Sequence, residues 1–399
     1  MANSLFKLLH GLYNVQTVPV IIFGNPGRGK TSTIKALGEF LGVVTEVRSS
    51  NKSDFTDFTG IPYLSDITTK SGKLKKVMKY SKPKYIRNLE KVDNGILFFD
   101  EIGTANNSII SAMLSIIQDC EFGEFSIPKT TFRVCAGNYT NVIGNHNLSI
   151  AFHNRCCNIF TKSNVEQYTQ GLVSGFTNRD YAVINSEEER KAKEIQYSVA
   201  VSDFLKLNPK FLPEDIPEEI VNPTDVAYPS ERSWYNAIQI LSVLDNNEPD
   251  YIYELIDGTI GIEASKAFKH YLSKSDKFIN LLDYVGKEQT LLLPHPNKHD
   301  EAMHIMETIS SLMKQDPKRY CKLFVRSVNI LHNKNKKFGD YSGYDGWIIK
   351  YLLNCIEQLD KKSLLTKDLI LKFHGIIKTD DYTIDDYPKL YRLSYEGRL

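Results

Sequence analysis

At 399 residues the chain is too long for one ordinary compact domain and suits two or three. Its 42% hydrophobic and 24% charged content are those of a soluble globular protein, and its longest apolar runs are far too short to span a membrane. The net charge of +1 names no partner, so the distribution of charge along the chain is the more informative quantity.

The N-terminus, "MANSLFKLLHGLY", lacks the extended apolar core and cleavage site of a signal peptide. Cys120, Cys135, Cys156, Cys157, Cys321 and Cys355 show no C-x-x-C pair or framework spacing and read as buried, reduced thiols. Both observations point to the cytoplasm.

The first strand candidate is Val18 to Phe23, a β-branched and aromatic run of the kind found in buried parallel strands. Thr31 to Leu41 reads as a helix, with Ile34, Leu37 and Leu41 at helical spacing. Between them lies "GNPGRGKTS", which fits G-x-x-x-x-G-K-[ST] with both required flanks. Gly24, Gly27 and Gly29 let backbone N–H groups turn inward, and Asn25, Pro26, Arg28 and Ser32 complete a loop expected to wrap a phosphate chain. Lys30 would reach the β- and γ-phosphates, and Thr31 would offer its hydroxyl to Mg²⁺. A Gly-rich turn that binds nothing is the bland alternative; the spacing, the Lys-Thr pair and both flanks argue together against it.

A second strand, Val43 to Ser49, precedes a polar stretch and then a basic run. Lys70, Lys73, Lys75, Lys76, Lys79, Lys82, Lys84 and Arg87 occur there without an acid, interleaved with Tyr80 and Tyr85. Next, Ile96 to Phe99 forms an apolar run ending in Asp100 and Glu101, two carboxylates at a strand's C-terminal end, where open α/β sheets bind ligands. Asp100 would hold hydrated Mg²⁺ and Glu101 would polarise the attacking water. "TFRVCAGN" is another strand, placing Asn138 where it can orient the same water. "LSIAFHNRCCNIF" runs from a short helix into a strand with Arg155 at the junction, from which an arginine can reach a γ-phosphate held by a neighbouring subunit. On spacing alone, a capping Asn and a surface Arg remain open for these two positions.

Beyond Phe160 the chain becomes helical. A capping box, Ser186 to Glu189, opens a long helix, and a Pro-punctuated linker leads to the helix "SWYNAIQILSVL". From Asn246 onward come amphipathic stretches such as "IEASKAFKHYLSK", "EAMHIMETISSLMK" and "WIIKYLLNCIEQL", then an acidic, Tyr-rich end. His295, His299 and His304 with Asp300 fall in a Pro-interrupted stretch without zinc-site spacing and read as a solvated loop.

The ordered set "GNPGRGKT", "ILFFDE", "CAGN", "AFHNR" and "YPSERSW" resembles the MoxR-like branch of the AAA+ ATPases over residues 15–245. The similarity is closest to a subgroup with a "DFxGLP"-type segment, matched here by "DFTGIP", Asp57 to Pro62. The resemblance implies that Lys30 and Thr31 are the Walker A contacts, Asp100 and Glu101 the Walker B pair, Asn138 sensor 1, Arg155 the arginine finger and Arg232 sensor 2, acting in cis or in trans. It also implies a β-hairpin before the sensor 1 strand, which "CEFGEFSIPKTTF" fits with Gly123 at the turn. One departure is that "AFHNRCC" lacks the aromatic that often follows the finger arginine.

The expected architecture is an α/β AAA+ P-loop core over residues 1–165, with a parallel sheet flanked by helices. A helical lid over 166–245 carrying Arg232 and a helical C-terminal extension over 246–399 follow. ATP and Mg²⁺ are the implied cofactors, a homo-hexameric ring the implied assembly, and remodelling of a protein client the implied work, with no membrane partner. The basic segment Lys70–Arg87 leaves a nucleic-acid motor as the alternative, and a solvated charged face that touches no substrate as a third reading.

Overall fold

Three of the strand runs are too hydrophobic to face water on either side, and they pair with one another and with two flanking strands. In a computed structural model they form a five-stranded, all-parallel sheet in the order β2-β5-β8-β1-β9. These strands are β1 (Val20–Phe23), β2 (Val44–Ser49), β5 (Gly95–Asp100), β8 (Phe132–Gly137) and β9 (Cys157–Phe160). The structure describes residues 5–50, 54–68, 74–138, 148–161, 169, 181–214, 226–244, 249–274, 281–288, 291, 299–317 and 319–327. The chain divides into two compact units, residues 1–187 with 208–267, and residues 188–207 with 268–399.

Burial follows position in the sheet. β1 and β8 are buried throughout and β5 up to Asp100, as expected of strands covered on both faces, whereas the edge strand β2 is half-buried along its length. Phe23 pairs with Gly137, Phe99 with Cys135 and Ser49 with Asp100. Because every pairing is parallel, Asp100 at the end of β5 and the polar residues that follow β1 and β8 come out along one edge.

The helices around the sheet are α1 (Leu5–Val15), α2 (Lys30–Leu41), α3 (Phe55–Thr59), α4 (Lys84–Leu89), α5 (Asn107–Asp119) and α6 (Ile150–His153). Of these, α1, α3, α4 and α5 have no counterpart in the expectations above, and α3 is a short five-residue helix that buries Phe58; the other three are longer. Each buries an apolar stripe: Leu8, Leu9 and Leu12 from α1, Tyr85, Ile86 and Leu89 from α4, and Ile109, Met113, Ile116 and Ile117 from α5. One core cluster joins Phe58, Tyr85, Phe99, Ile102, Met113, Cys135 and Phe152.

The basic run, read in the sequence as a nucleic-acid-binding segment or a solvated charged face, is split between two elements. Pro62–Thr68 (β3) and Leu74–Tyr80 (β4) pair antiparallel as a separate two-stranded hairpin, and Lys84 and Arg87 lie on α4. Lys70 and Lys73 lie outside the described residues. Tyr85, read as a partner for stacking, is instead in the core at 1% exposure, with the Arg48 guanidinium over its ring. Its neighbours on α4 explain this: Ile86 and Leu89 face the same core and carry Tyr85 inward with them. Glu121–Phe122 (β6) and Phe125–Ser126 (β7) form the expected second hairpin, with Gly123 at φ 55°.

Later in the first unit, helices Glu231–Val243 and Pro249–Ile260 bury Trp234, Ile240, Leu255 and Ile256. The Asn185 side chain donates to the carbonyls of Ser242 and Leu244, both at 2.8 Å. In the second unit, Phe204 meets Phe268 and Tyr271 at ring separations of 5.3 and 5.5 Å, and helix His299–Gln315 buries Met306, Ile309 and Met313. His299, Asp300 and His304 therefore belong to a helix and not to a loop, while His295 lies outside the described residues. Residues 347–359 and the acidic end also lie outside them. Cys120, Cys135, Cys156, Cys157 and Cys321 are buried free thiols; burial pushes Cys156 and Cys157 up to about 12. Among the described residues no helix is long and apolar enough to cross a membrane.

Candidate active site

The loop from Gly24 to Ser32 leaves β1 and enters α2 directly. Gly27 and Gly29 have φ of 79° and 72°, left-handed values that cost an L residue about 1–2 kcal/mol. Gly29 is the N-cap of α2 and makes no side-chain cap bond, so the first-turn N–H groups of this 12-residue helix remain available to an anion. Gly24 is required for a different reason: a Cβ there would stand 1.8 Å from Thr161 Oγ1. Its N–H donates to the Gly137 carbonyl at 3.3 Å, tying the start of the loop to β8. Asn25, Pro26 and Ser32 are exposed and Arg28 is half-buried.

Lys30 is only 8% exposed. Its ammonium donates to the carbonyls of Gly24 at 2.7 Å and Asn25 at 3.2 Å, and to Asn138 Oδ1 at 3.1 Å. Burial lowers its pKa, opposed by the carboxylates of Asp100 and Glu101. Thr31 Oγ1 donates to Asp100 Oδ2 at 2.6 Å, while Asp100 Oδ1 accepts from the Glu101 N–H at 3.0 Å. The parallel sheet thus brings four of the residues singled out in the sequence together as two adjacent hydrogen-bonded pairs, Lys30 with Asn138 and Thr31 with Asp100.

Glu101 completes this edge. It is exposed, with φ 58° and ψ 39°, a left-handed conformation rare for glutamate, and Ser49 Oγ donates to its Oε2 at 3.5 Å. A hydroxyl and a carboxylate in direct contact, both hard oxygen donors, suit Mg²⁺, which takes one or two protein oxygens and completes its shell with water and substrate phosphate.

Arg155 and Arg232 form a second group. Arg155 lies between α6 and β9; its Nε donates to Gln118 Oε1 and its Nη1 to the Ala151 carbonyl at 2.5 Å. Asn154 donates to the Tyr228 carbonyl at 3.3 Å and accepts from Ser230 Oγ at 3.0 Å, which draws the start of helix Glu231–Val243 to this junction. Arg232, exposed in the first turn of that helix, is near enough that its guanidinium, after burial, helps lower the pKa of Arg155. Neither arginine hydrogen-bonds the phosphate loop among the described residues.

Beneath them, Asn158 donates to the carbonyls of His153, Cys156 and Gly258, at 3.1, 3.1 and 3.0 Å. With its amide nitrogen committed, its Oδ1 accepts from His153 Nδ1–H at 2.8 Å, which fixes the imidazole tautomer. Burial lowers the pKa of His153.

The sequence reading missed Ser49 and Gln118. Ser49 was accessible from strand ends alone, since it closes β2 in register with Asp100. Gln118 had no such signal: it lies 37 residues from Arg155 on a helix that was not expected.

Residues 19–171 match the family model of the AAA domain, dynein-related subfamily. The match spans β1 to the end of β9 and so coincides with the parallel sheet and the loop just described. Among solved structures the chain is similar to a protein from Cytophaga hutchinsonii provisionally described as an ATPase. The two are 14% identical, the alignment covers 67% of this chain and 88% of that one, and the TM-score is 0.42. No curated protein matches the chain.

Proposed function

We propose that this chain is a Mg²⁺-dependent ATPase of the MoxR-like AAA+ kind, assembling as a homo-oligomeric ring, most simply a hexamer, and spending ATP to remodel a protein client. The observation that carries the ATPase reading is the convergence of Lys30, Thr31, Asp100 and Asn138 below an uncapped helix N-terminus. In this reading residues 166–245 serve as the lid and residues 246–399 as an accessory domain.

Each residue then has a defined task. The loop N–H groups and the α2 N-terminus bind the phosphates, and Lys30 shifts donors from its backbone carbonyls to the β- and γ-oxygens. Bound Mg²⁺, held by Thr31 and Asp100, would neutralise charge on those oxygens. Glu101 accepts the proton of the attacking water, and Asn138, already bonded to Lys30, orients that water. Arg155 and Arg232 make no bond to their own loop, which supports action on the γ-phosphate of a neighbouring chain.

The β3–β4 hairpin favours a protein client over nucleic acid. Its register puts Pro62, Tyr80, Leu64, Met78 and Leu74 on one face together with Asp66, Lys76 and Thr68, and Leu64, Met78 and Leu74 are 67%, 60% and 77% exposed. An open aliphatic and thioether cluster is a protein-docking feature, whereas single-stranded nucleic acid calls for adjacent stacked aromatics; Tyr85 is in the core, and the exposed Tyr63 and Tyr80 stand on opposite faces of the hairpin. Lys75, Lys76 and Lys79 line the same hairpin, suiting a client with acidic as well as apolar side chains.

The reading is tested by separating binding from turnover. Lys30→Ala should weaken nucleotide binding. Glu101→Gln should bind ATP with Mg²⁺ normally and hydrolyse it at least about a hundredfold more slowly, because only general-base assistance is lost. Near wild-type phosphate release by Glu101→Gln would overturn the assignment.

A further inference from the structure

Helix α5 begins six residues after Glu101 and ends under Arg155. Its C-terminal turn is unusually well anchored. Arg133 of β8, 4% exposed, donates to the carbonyl of Ile117 at 2.7 Å and, through its other nitrogen, to those of Gln16 and Thr17 at 3.0 and 3.1 Å. A buried cation on the last carbonyls of a helix also complements its dipole. Cys120 then closes the helix in the left-handed region, its N–H donating to Ile116 at 3.1 Å. Gln118 stands on this fixed turn.

Its carbonyl oxygen accepts from Arg155 Nε while Ala151 takes Nη1, and two contacts through different nitrogens fix the plane of a rigid guanidinium. Two of the five N–H donors of the group are spent in this way, leaving three uncommitted among the described residues. We infer that Gln118 is the positioning residue for Arg155: its neutral carbonyl aims the guanidinium without cancelling its charge, so that the remaining donors meet a phosphate of a neighbouring nucleotide. This rests on the reading that Arg155 acts on that phosphate.

The neutrality of Gln118 is the discriminating feature. A glutamate at 118 has the same shape and would accept the same bond, but would pair with Arg155 and spend the charge the phosphate needs. Asp119, the next residue, already bears on Arg155, yet it is exposed at the helix end and forms no ion pair with it among the described residues.

The test is steady-state ATP hydrolysis by the full chain carrying Gln118→Glu, Gln118→Ala or Arg155→Ala, and the two double variants. Gln118→Glu should lower kcat at least about tenfold with KM for ATP within about twofold, and Gln118→Ala should lower kcat about three- to tenfold. Neither should change the residual rate of Arg155→Ala. A purely structural role gives the reverse order, since glutamate preserves packing and the bond whereas alanine removes both. Gln118→Glu at the wild-type rate, or milder than Gln118→Ala, while Arg155→Ala is inactive, overturns the role of Gln118 and leaves that of Arg155 standing. A further loss from Gln118→Glu in the Arg155→Ala background also overturns it. Arg155→Ala at full rate overturns the underlying reading instead.

Discussion

Two residues near the site hold conformations or charge states that the bare sequence would not favour, and each has a measurable consequence. Glu101 occupies the left-handed region, which asparagine tolerates better than glutamate. Glu101→Asn should therefore keep or slightly raise the melting temperature while turnover falls at least about a hundredfold, the trade expected where strain is kept for function. A clear drop in melting temperature would show that the backbone here carries no strain. His153 is held neutral by burial, with its Nδ1–H on Asn158. Its folded pKa lies below the unfolded value, so its contribution to stability is intact above about pH 6.5 and is lost as pH falls through the folded pKa. His10, also lowered by burial, acts in the same direction, so the difference between wild type and His153→Gln isolates His153. Denaturant midpoints between pH 7.5 and 5 should fall more steeply for wild type; parallel curves would remove His153 from the account.

At the scale of elements, what could be read from the sequence depended on whether a signal was local. The loop, β5 and β8 were legible because a buried parallel strand is a short apolar run and its polar end residue is where chemistry sits. Arg155 was legible as a junction residue between α6 and β9. Its alignment was not, because Gln118, which accepts from it, and Arg133, which anchors the turn that carries Gln118, come from distant segments. The basic run was legible as charge but not as structure, since strand pairing with Pro62–Thr68 depends on partners across a turn. That hairpin supplies its own prediction. Lys75, Lys76 and Lys79 are exposed and form no ion pair among the described residues, unlike Lys82, which pairs with Glu90 at 2.6 Å. Reversing all three to Glu should change unfolding free energy by no more than about 0.5 kcal/mol per site. An anisotropy titration of wild type with single-stranded DNA and RNA should show no micromolar, steeply salt-dependent binding. Such binding, abolished by the three substitutions, would replace the protein client with nucleic acid.

At the scale of the whole molecule, the proposed ring would divide one reaction between two chains. Lys30 is bonded to Asn138 and Thr31 to Asp100, whereas Arg155 and Arg232 lie together and turn no hydrogen bond toward those residues. If each working site takes the first group from one chain and the second from its neighbour, neither chain is complete alone. Arg155→Ala and Glu101→Gln should then both be nearly inactive as homo-oligomers, since each loses an interaction made mainly in the transition state. Mixed in equal amounts under conditions where subunits exchange, they should recover activity. Random neighbours around a ring with one repeated head-to-tail interface bring an intact Glu101 against an intact Arg155 at about a quarter of the boundaries. Recovery below that fraction is compatible with the reading, because a stalled neighbour can hold back a concerted cycle. Steady-state phosphate release from each variant and from the mixture makes the measurement, with exchange verified by energy transfer between labelled chains. A mixture that exchanges yet stays as inactive as its parents would remove the support for action between chains, and would return Arg232, exposed and unbonded among the described residues, as the arginine to examine next.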